Sequence, residues 1–390
     1  MKKSHIDTEA LTAFIQDLIR IKSLSGNEEE VARRIITEMH ALGYDEVSVD
    51  AYGNVLGKIR GNSSRSILFE GHMDIVDVPN PERWSYDPFD GTVHRGCLYG
   101  RGASDMKAAL AAMIHGAAGC REDADHGDIY VAAVVYEEIF EGVGFGKVLD
   151  RITPDAVVLG EPNDLEIAIG QKGRAEIVVE TAGINAHSAH PEHGVNAIDT
   201  MVTLLHQLQK LPVVESDVLG KGIVVATDMI STPYPGTSII PNRCRATLDR
   251  RLIEDETRES VLKPLIDTIE YLQAADSTFQ TQVSYAVEEL PTYTGERLRS
   301  ERFYPGWSLS GSDPLVSLAL AAYRELGIEP VLSSYQFCTD GSESAGKRHI
   351  PTIGIGPGKA SMAHVVNECV ELEKVFLAAD IYFTLAKRFK

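Results

Sequence analysis

Histidine and carboxylate side chains recur in this 390-residue chain in short segments that contain glycines or follow apolar runs. Imidazole nitrogens and carboxylate oxygens ligate divalent metals, and both groups also act as general acids and bases. The segments with such residues at close spacing are GHMD (71–74), GRGASDMKAA (100–109), YEE (136–138), LGEP (159–162) and AHVVNECVEL (363–372). If the fold brings these side chains together, they predict metal or acid–base chemistry.

Each of these residues also has a purely structural interpretation. In a regular strand His72 and Asp74 share one face, where a carboxylate can fix the tautomer of a metal-bound imidazole; alternatively both lie on a surface loop. Asp105 directly precedes an alanine-rich segment, so it is either a functional carboxylate or a helix N-cap. Adjacent Glu137 and Glu138 are costly to bury unless paired, protonated or bound to a cation, and a solvated strand end is the alternative.

A separate segment, NAHSAHPEHG (185–194), places His187, His190 and His193 at a spacing of three. Three histidines so close together raise the question of a local metal site. Histidines three apart in a loop rich in proline and glycine converge poorly, and a full ligand set exists elsewhere in the chain. We therefore predict that His190 and His193 are surface residues and that this segment is not the metal site.

The histidines and carboxylates lie next to apolar segments that alternate with segments of helical periodicity, so these elements must position them. The sequence predicts buried strands over 66–76, 129–138 and 156–162, and a buried helix over 106–119. Continuous apolar strands of this kind form a mostly parallel sheet covered by helices on both faces, and ligands bind beyond the carboxyl ends of its strands. The histidine and carboxylates of three segments fall at those ends, and Glu161 repeats the position of Glu137 and Glu138. His364 lies in a polar loop, where a surface histidine is the common alternative.

The middle of the chain has a different pattern. Half-exposed strands over 174–183, 244–252 and 279–287 and helices over 196–210 and 257–272 predict an inserted α+β domain with the order strand–helix–strand–strand–helix–strand. The expected organisation is a catalytic domain formed by residues 1–173 and 290–390, interrupted by the inserted domain over 174–289. The α/β pattern resumes with a helix over 313–327.

Composition narrows the class of protein. The formal net charge is −20 and the isoelectric point is near 5.0, which disfavours nucleic acid or an anionic membrane as a partner. No apolar leader follows the N-terminal lysines and no 18-residue apolar run occurs, so we expect a cytoplasmic protein without a membrane span. Five scattered cysteines without a CxxC pair fit a reducing compartment and exclude a thiolate zinc cage.

The motifs, taken in order, resemble the acetylornithine deacetylase / succinyl-diaminopimelate desuccinylase / glutamate carboxypeptidase family of two-zinc metallohydrolases. The match covers GHMD, GRGASDMKAA, YEE, LGEP, HSAHPEHGVNAI and AHVVNECVEL, across nearly the whole chain. Within the family, the chain is most similar to hydrolases linked to selenium metabolism. The resemblance implies a zinc-exopeptidase-like α/β catalytic domain, an inserted dimerisation or lid domain, and a homodimer.

The resemblance also implies a ligand set for two divalent ions. His72 and Glu161 would ligate one ion, His364 and Glu138 the other, and Asp105 would bridge the two. Oxygen and nitrogen ligands without thiolate suit zinc, with cobalt or manganese as substitutes. In such relatives the peptide bond that follows the residue at position 105 is commonly cis.

Further roles are implied for residues around the metals. Glu137 would be the general base for a metal-activated water, Asp74 would orient His72, and His187 would reach the substrate carbonyl or carboxylate in the partner subunit's site. Arg251 would bind a substrate carboxylate, with a sheet-surface arginine as the alternative. Thr339 and Gly341 would line the substrate pocket.

The expected function is therefore hydrolysis of the amide bond of an N-acylated amino acid or short peptide. A dipeptidase or carboxypeptidase with the same machinery is the alternative. Glu161 favours a substrate with a free carboxylate, because the family's aminopeptidases carry aspartate there. Two departures concern the substrate contacts: CTDGSES (338–344) is one glycine short of the family loop, and Ser238 stands where several relatives have asparagine.

Overall fold

The computed structural model describes residues 6–390; residues 1–5, on which part of the expectation of no leader rests, lie outside the described residues. The chain divides into two compact units. The larger comprises residues up to 171 together with 289–300 and 308–390, and the smaller comprises 172–288 together with 301–307. No helix within residues 6–390 combines the length and apolar character needed to cross a membrane.

Helices of the larger unit form where the sequence has helical apolar periodicity. Asp7 caps the first helix by accepting hydrogen bonds from the N–H groups of Glu9 and Ala10, and the apolar face of that helix is buried as predicted. The third helix is buried on almost every side, as its alanine-rich sequence predicts. The helices are Thr8–Arg20, Glu29–Ala41, Ala108–Ala118, Val143–Leu149, Pro314–Leu326 and Leu372–Arg388, with π-helical turns at Ala103–Lys107 and Ser342–Lys347 and 3₁₀ turns at Pro81–Arg83, Gly119–Glu122 and Ala360–Met362.

The larger unit is built on a mixed sheet whose central strands are parallel. In spatial order the strands are Glu46–Val49, Val55–Ile59, Asp128–Val134, Ser66–His72, Ala156–Leu159, Thr352–Gly354 and Ile167–Gln171, and Leu332–Tyr335 also pairs with Ile167–Gln171. The neighbours of Ser66–His72 on both sides run parallel to it, with His72 opposite Val134 and Glu70 opposite Leu159. A small antiparallel sheet contains Val93–His94, Cys97–Tyr99 and Cys369–Glu371.

Two predicted strands end earlier than the sequence indicated. The strand predicted over 66–76 stops at His72, and the one predicted over 129–138 stops at Val134. Beyond these strand ends the Asp74 carboxylate accepts hydrogen bonds from the N–H groups of Glu137 and Glu138, and Tyr136 adopts a left-handed φ of 64°. Asp74, Glu137 and Glu138 therefore lie in loops beyond the strand ends, which corrects the expectation that His72 and Asp74 share a strand face.

The smaller unit is an antiparallel sheet with two helices, Ala197–Leu208 and Arg258–Ala275. The sheet order is Ile223–Thr232, Arg243–Leu252, Gly173–Ala182 and Gln280–Tyr285, and Phe303–Tyr304 also pairs with Gly173–Ala182. Alternate residues of Gly173–Ala182 enter an apolar core with residues of both helices. The predicted fold class, a mostly parallel α/β sheet with an additional α+β domain, is confirmed.

Short elements complete the chain. A small hairpin and a 3₁₀ turn lie in the smaller unit, and three short strands lie where the chain passes between the units in sequence. They are Glu215–Ser216 with Gly220–Lys221, the turn Pro191–His193, the pair Val287–Pro291 with Arg297–Glu301, and Trp307–Ser308.

Candidate metal centre

Three adjacent parallel strands of the larger unit end at the same edge of the sheet, and a predicted site residue lies at or just beyond the end of each strand. His72 is the last residue of its strand, Glu137 follows the strand Asp128–Val134, and Glu161 follows Ala156–Leu159. Because these strands are parallel neighbours, their carboxyl ends meet, as is typical of ligand sites in α/β sheets.

One group of potential ligands is fully buried. His72, Asp105 and Glu161 lie with one ligand atom each within 4.8 Å of the others. His72 Nε2 is 3.0 Å from Asp105 Oδ1 and 3.9 Å from Glu161 Oε1. Donor atoms bound tetrahedrally to one zinc ion at ~2.0–2.1 Å are roughly 3.3 Å apart, so this spacing fits a single ion.

A second group shares Asp105 and opens to solvent. It contains Asp105, Glu138 and His364, again with ligand atoms within 4.8 Å of one another. His364 Nε2 is 3.3 Å from Asp105 Oδ2 and 3.0 Å from Glu138 Oε2. The two oxygens of Asp105 thus face different histidines, an arrangement that suits a carboxylate shared by two ions. The five residues predicted as ligands are the members of these two groups.

The backbone around Asp105 is irregular. Asp105 lies in the π-helical turn with φ −129° and ψ 97°, its side chain caps no helix, and the Asp105–Met106 peptide bond is cis. Gly102 enters the turn at φ 86°. The Met106 side chain packs over Gly71 and Gly160, where an added Cβ would come within 2.6 and 2.5 Å of its methyl carbon. The glycines before His72 and Glu161 therefore make room for the residue after Asp105.

Buried carboxylates make the centre strongly acidic. Burial, and then the negative charge of Asp105, raise the pKa of Glu161 well above its ordinary value, and the same two causes raise the pKa of Glu138. Burial opposes ionisation of Asp105, but hydrogen bonds with His364 and His72 hold its pKa below the ordinary value. These carboxylate and imidazole donors fit divalent metal ions.

Glu137 lies beside the buried group without belonging to either ligand group. Its Oε2 is 4.0 Å from His72 Nε2 and its side chain is 8% exposed. Burial, followed by the charges of Glu161 and Asp340, raises the pKa of Glu137 well above its ordinary value. A carboxylate with a raised pKa next to a metal centre is suited to proton transfer.

Asp74 contacts His72 through its main chain. His72 Nδ1 lies 2.9 Å from the Asp74 carbonyl oxygen and 3.6 Å from Oδ1 of its side chain. The Asp74 carboxylate instead accepts hydrogen bonds from Ser25 Oγ and from the N–H groups of Glu137 and Glu138. It therefore holds the loop that carries both glutamates, while its carbonyl orients the imidazole.

His187 and Arg251 belong to the smaller unit, so the larger unit assembles both ligand groups without them. His187 is exposed, and the N–H of Ala189 donates to its Nδ1 at 3.0 Å, which leaves the proton of the neutral ring on Nε2. Arg251 is partly exposed and its Nε lies 3.0 Å from Asp249 Oδ1. His190 and His193 are exposed, each near Glu192.

Thr339 and Gly341 are buried in the larger unit and bond to each other. Thr339 Oγ1 donates to Gln171 Oε1 and accepts from the N–H of Gly341 at 3.0 Å. The hydroxyl predicted to line the substrate pocket therefore stabilises the fold of its own loop.

Other buried carboxylates lie around the candidate centre, and no sequence motif predicted them. Burial is the largest cause that raises the pKa of Glu70 and of Asp340, and the negative charge of Asp340 raises the pKa of Glu70 further. Glu28 accepts the N–H groups of Gly26 and Tyr136, next to Glu137. Glu368 accepts the N–H groups of Ser104 and Asp105.

Comparison with known proteins gives the chain its family. Residues 68–388 match the family described as Peptidase family M20/M25/M40. The chain is 33% identical to the uncharacterized protein YgeY of Escherichia coli K12, covering 95% of this chain and 92% of that protein. It is 28% identical to succinyl-diaminopimelate desuccinylase of Paracoccus denitrificans, covering 95% and 96% of the two chains.

A solved structure with a similar fold is the YXEP protein of Bacillus subtilis, described as a dinuclear metal binding peptidase of the M20 family. Its TM-score is 0.73 at 17% sequence identity, with 98% of both chains covered. The family match, the relatives and the candidate metal groups agree, and the chain belongs to the M20/M25/M40 peptidase family of metal-dependent hydrolases.

Proposed function

We propose that this chain is a two-zinc amidohydrolase that removes the acyl group from an N-acylated amino acid with a free carboxylate. The observation that carries the proposal is Asp105, whose two oxygens face the histidines of two separate ligand groups. The desuccinylase relative and the glutamate at position 161 favour an acyl amino acid over an aminopeptidase substrate.

His72, Glu161, Asp105, Glu138 and His364 would hold the two ions. Bound divalent ions polarise a scissile carbonyl and lower the pKa of water. Glu137 would take the proton of the attacking water and return it to the leaving amine, because its carboxylate lies beside His72 and belongs to neither ligand group.

The smaller unit would supply substrate contacts across a homodimer. Its edge strand Ile223–Thr232 pairs on one side only within the described residues and exposes apolar side chains, with Val225, Met229 and Ile230 each at least 50% exposed. A long apolar edge is prone to pairing with another strand, so a second copy is the proposed occupant. His187, with a proton on Nε2, would then stabilise negative charge on the substrate in the partner's site, and Arg251 would bind its carboxylate.

Two adjacent isosteric substitutions test the roles within the site. Glu137→Gln should keep both ions and lower turnover by about 10²–10⁴-fold, because only proton transfer is removed. Glu138→Gln should instead weaken metal binding. The zinc-loaded variants are assayed with N-succinyl, N-acetyl and dipeptide substrates alongside elemental analysis.

Hydrolysis of acyl amino acids by the parent protein supports the proposal, and turnover of dipeptides alone supports the dipeptidase alternative. A metal-loaded protein that cleaves none of these substrates, or unchanged turnover in Glu137→Gln, contradicts it. For the dimer, mixing His187→Ala with Glu137→Ala chains should restore partial activity. Verified heterodimers without rescue would exclude action of His187 in the partner's site.

A further inference from the structure

The carboxylate of Glu368 is buried directly behind the ligand shared by the two groups. The residue has 0% exposure, and Arg101, which donates to its Oε2 from Nη1, has 3%. The other oxygen, Oε1, accepts the N–H of Ser104 at 2.9 Å and the N–H of Asp105 at 3.1 Å. One side chain thus binds the main chain of the residue whose carboxylate faces both histidines.

The N–H of Asp105 requires such an acceptor. Asp105 has non-helical φ and ψ in the middle of a helical turn, so its N–H lies outside a regular helical hydrogen-bond ladder. A buried N–H without a partner is destabilising, and the conformation of the turn persists only if its donors are satisfied. Glu368 satisfies both Ser104 and Asp105.

Glu368 is itself held firmly. Its carbonyl accepts the N–H of Gly100, and the next residues, Cys369–Glu371, pair with the strand Cys97–Tyr99. Its carboxylate forms a buried ion pair with Arg101, and such a pair is stable only when both charges keep their partners. Glu368 is therefore held in one position, and its carboxylate holds the main chain of the Asp105 turn.

The same segment carries His364, four residues upstream. His364 and Asn367 have left-handed φ values of 62° and 61°, and the Asn367 side chain accepts the N–H of Ser85 at 2.6 Å. Ser104 Oγ donates to the Lys359 carbonyl at 3.1 Å, which ties the two segments together a second time. The relative placement of Asp105 and His364 therefore depends on the contact between these two segments.

We infer that Glu368 is a positioning residue that sets the distance between Asp105 and His364, and with it the metal affinity of the open group. The inference rests on the proposed two-metal function. Groups that orient metal ligands typically change metal affinity by about 10–100-fold when altered.

Substitutions that separate reach from charge test the inference. Glu368→Asp keeps the charge beside Arg101 but is one methylene shorter, so it cannot reach the N–H groups and Arg101 in the same way. Glu368→Gln keeps the reach and one acceptor oxygen for the N–H groups, but its amide NH2 replaces the oxygen that pairs with Arg101, so the buried ion pair is lost. Glu371→Gln is the matched control, because Glu371 lies three residues further along the same segment and forms an exposed ion pair with Lys359.

Zinc dissociation constants are measured for each full-length variant by competition with a chromogenic chelator, with circular dichroism to verify folding. We expect Glu368→Asp and Glu368→Gln each to weaken one constant by about 10–100-fold, and Glu371→Gln to match the parent.

A folded Glu368→Asp with both constants at parental values overturns the inference while the two-metal function stands. An equal loss in Glu371→Gln also overturns it, because the effect would then not be specific to the buried carboxylate. If the parent protein itself binds no zinc, both the proposed function and the inference fail.

Discussion

The two ligand groups share Asp105 but lie in different surroundings. In the buried group the His72 side chain is fully inaccessible, whereas in the open group the His364 side chain is 50% exposed. His72 comes from the central strand of the sheet, and His364 comes from a loop that begins beyond a 3₁₀ turn. One centre thus combines a ligand set fixed by the core with a set that solvent can reach.

The difference has a physical consequence for metal binding. A ligand set within a packed core is pre-organised, so little conformational entropy is lost when an ion binds. A set that includes an exposed loop histidine loses more entropy and exchanges with solvent more readily. We therefore expect the buried group to hold its ion more tightly, with Asp105 as the residue on which both depend.

The largest effect is expected from removal of Asp105, the proposed shared ligand. Asp105→Ala should reduce bound zinc from about two ions per chain toward none, because both groups lose a carboxylate. Turnover should fall by at least about 10³-fold, since metal ions supply several kcal/mol of transition-state stabilisation. Elemental analysis and steady-state kinetics measure the two effects.

Asp77→Ala is the control for that substitution, because Asp77 is exposed and forms a surface ion pair with Lys22. It should leave both metal content and turnover near parental values. If Asp105→Ala retains one tightly bound ion and most of its turnover, Asp105 is not shared.

A smaller and selective effect on zinc release is expected from substitution of His364 or His72. Zinc release from the parent protein into excess chelator should be biphasic, with the fast phase from the open group. His364→Ala should remove the fast phase and leave about one ion per chain. His72→Ala should abolish the slow phase. A single phase in the parent protein, or loss of the slow phase in His364→Ala, would reverse the assignment of the two groups.

The smallest effect concerns pH. In the metal-free protein, hydrogen bonds with Asp105 and Glu138 raise the pKa of His364 to about 10. An imidazole must be neutral to ligate a metal, so an ion entering the open group at pH 7–9 displaces this proton. Apparent affinity of the open group should therefore rise with pH, by about one log unit per pH unit for one proton, until pH approaches the His364 pKa.

Calorimetric titration of zinc in buffers with different ionisation enthalpies measures that proton release. At least about one proton should be released for the open-group ion. Affinity that does not change between pH 7 and 9 would mean that His364 is already neutral or does not ligate the ion.

Much of the candidate centre could be predicted from the sequence, because ligands of parallel sheets bind beyond the carboxyl ends of the strands and those ends can be recognised from a few neighbouring residues. Apolar strands followed by polar residues identified His72, Glu137, Glu138 and Glu161 at strand ends, and the fold class followed from the same pattern. The assignment of Asp105 and His364 as ligands came from family resemblance, because neither residue directly follows a predicted strand.

The residues behind the ligands could not be predicted, because their contacts join segments far apart in the chain. Glu368 binds the main chain of a residue 263 positions away, and nothing in its local sequence indicates that contact. Asp74 contacts His72 through its carbonyl group, which every residue carries. The edge strand Ile223–Thr232 was not located because it is exposed on both faces and lacks the burial alternation of its neighbours.

Anomalous diffraction at the zinc edge from crystals of the zinc-loaded protein tests the central claim most directly. We predict two peaks, both at roughly 2.0–2.2 Å from a carboxylate oxygen of Asp105. One peak should also contact His72 and Glu161, and the other Glu138 and His364. A single peak, or two peaks of which only one contacts Asp105, would exclude ligation of two ions by Asp105.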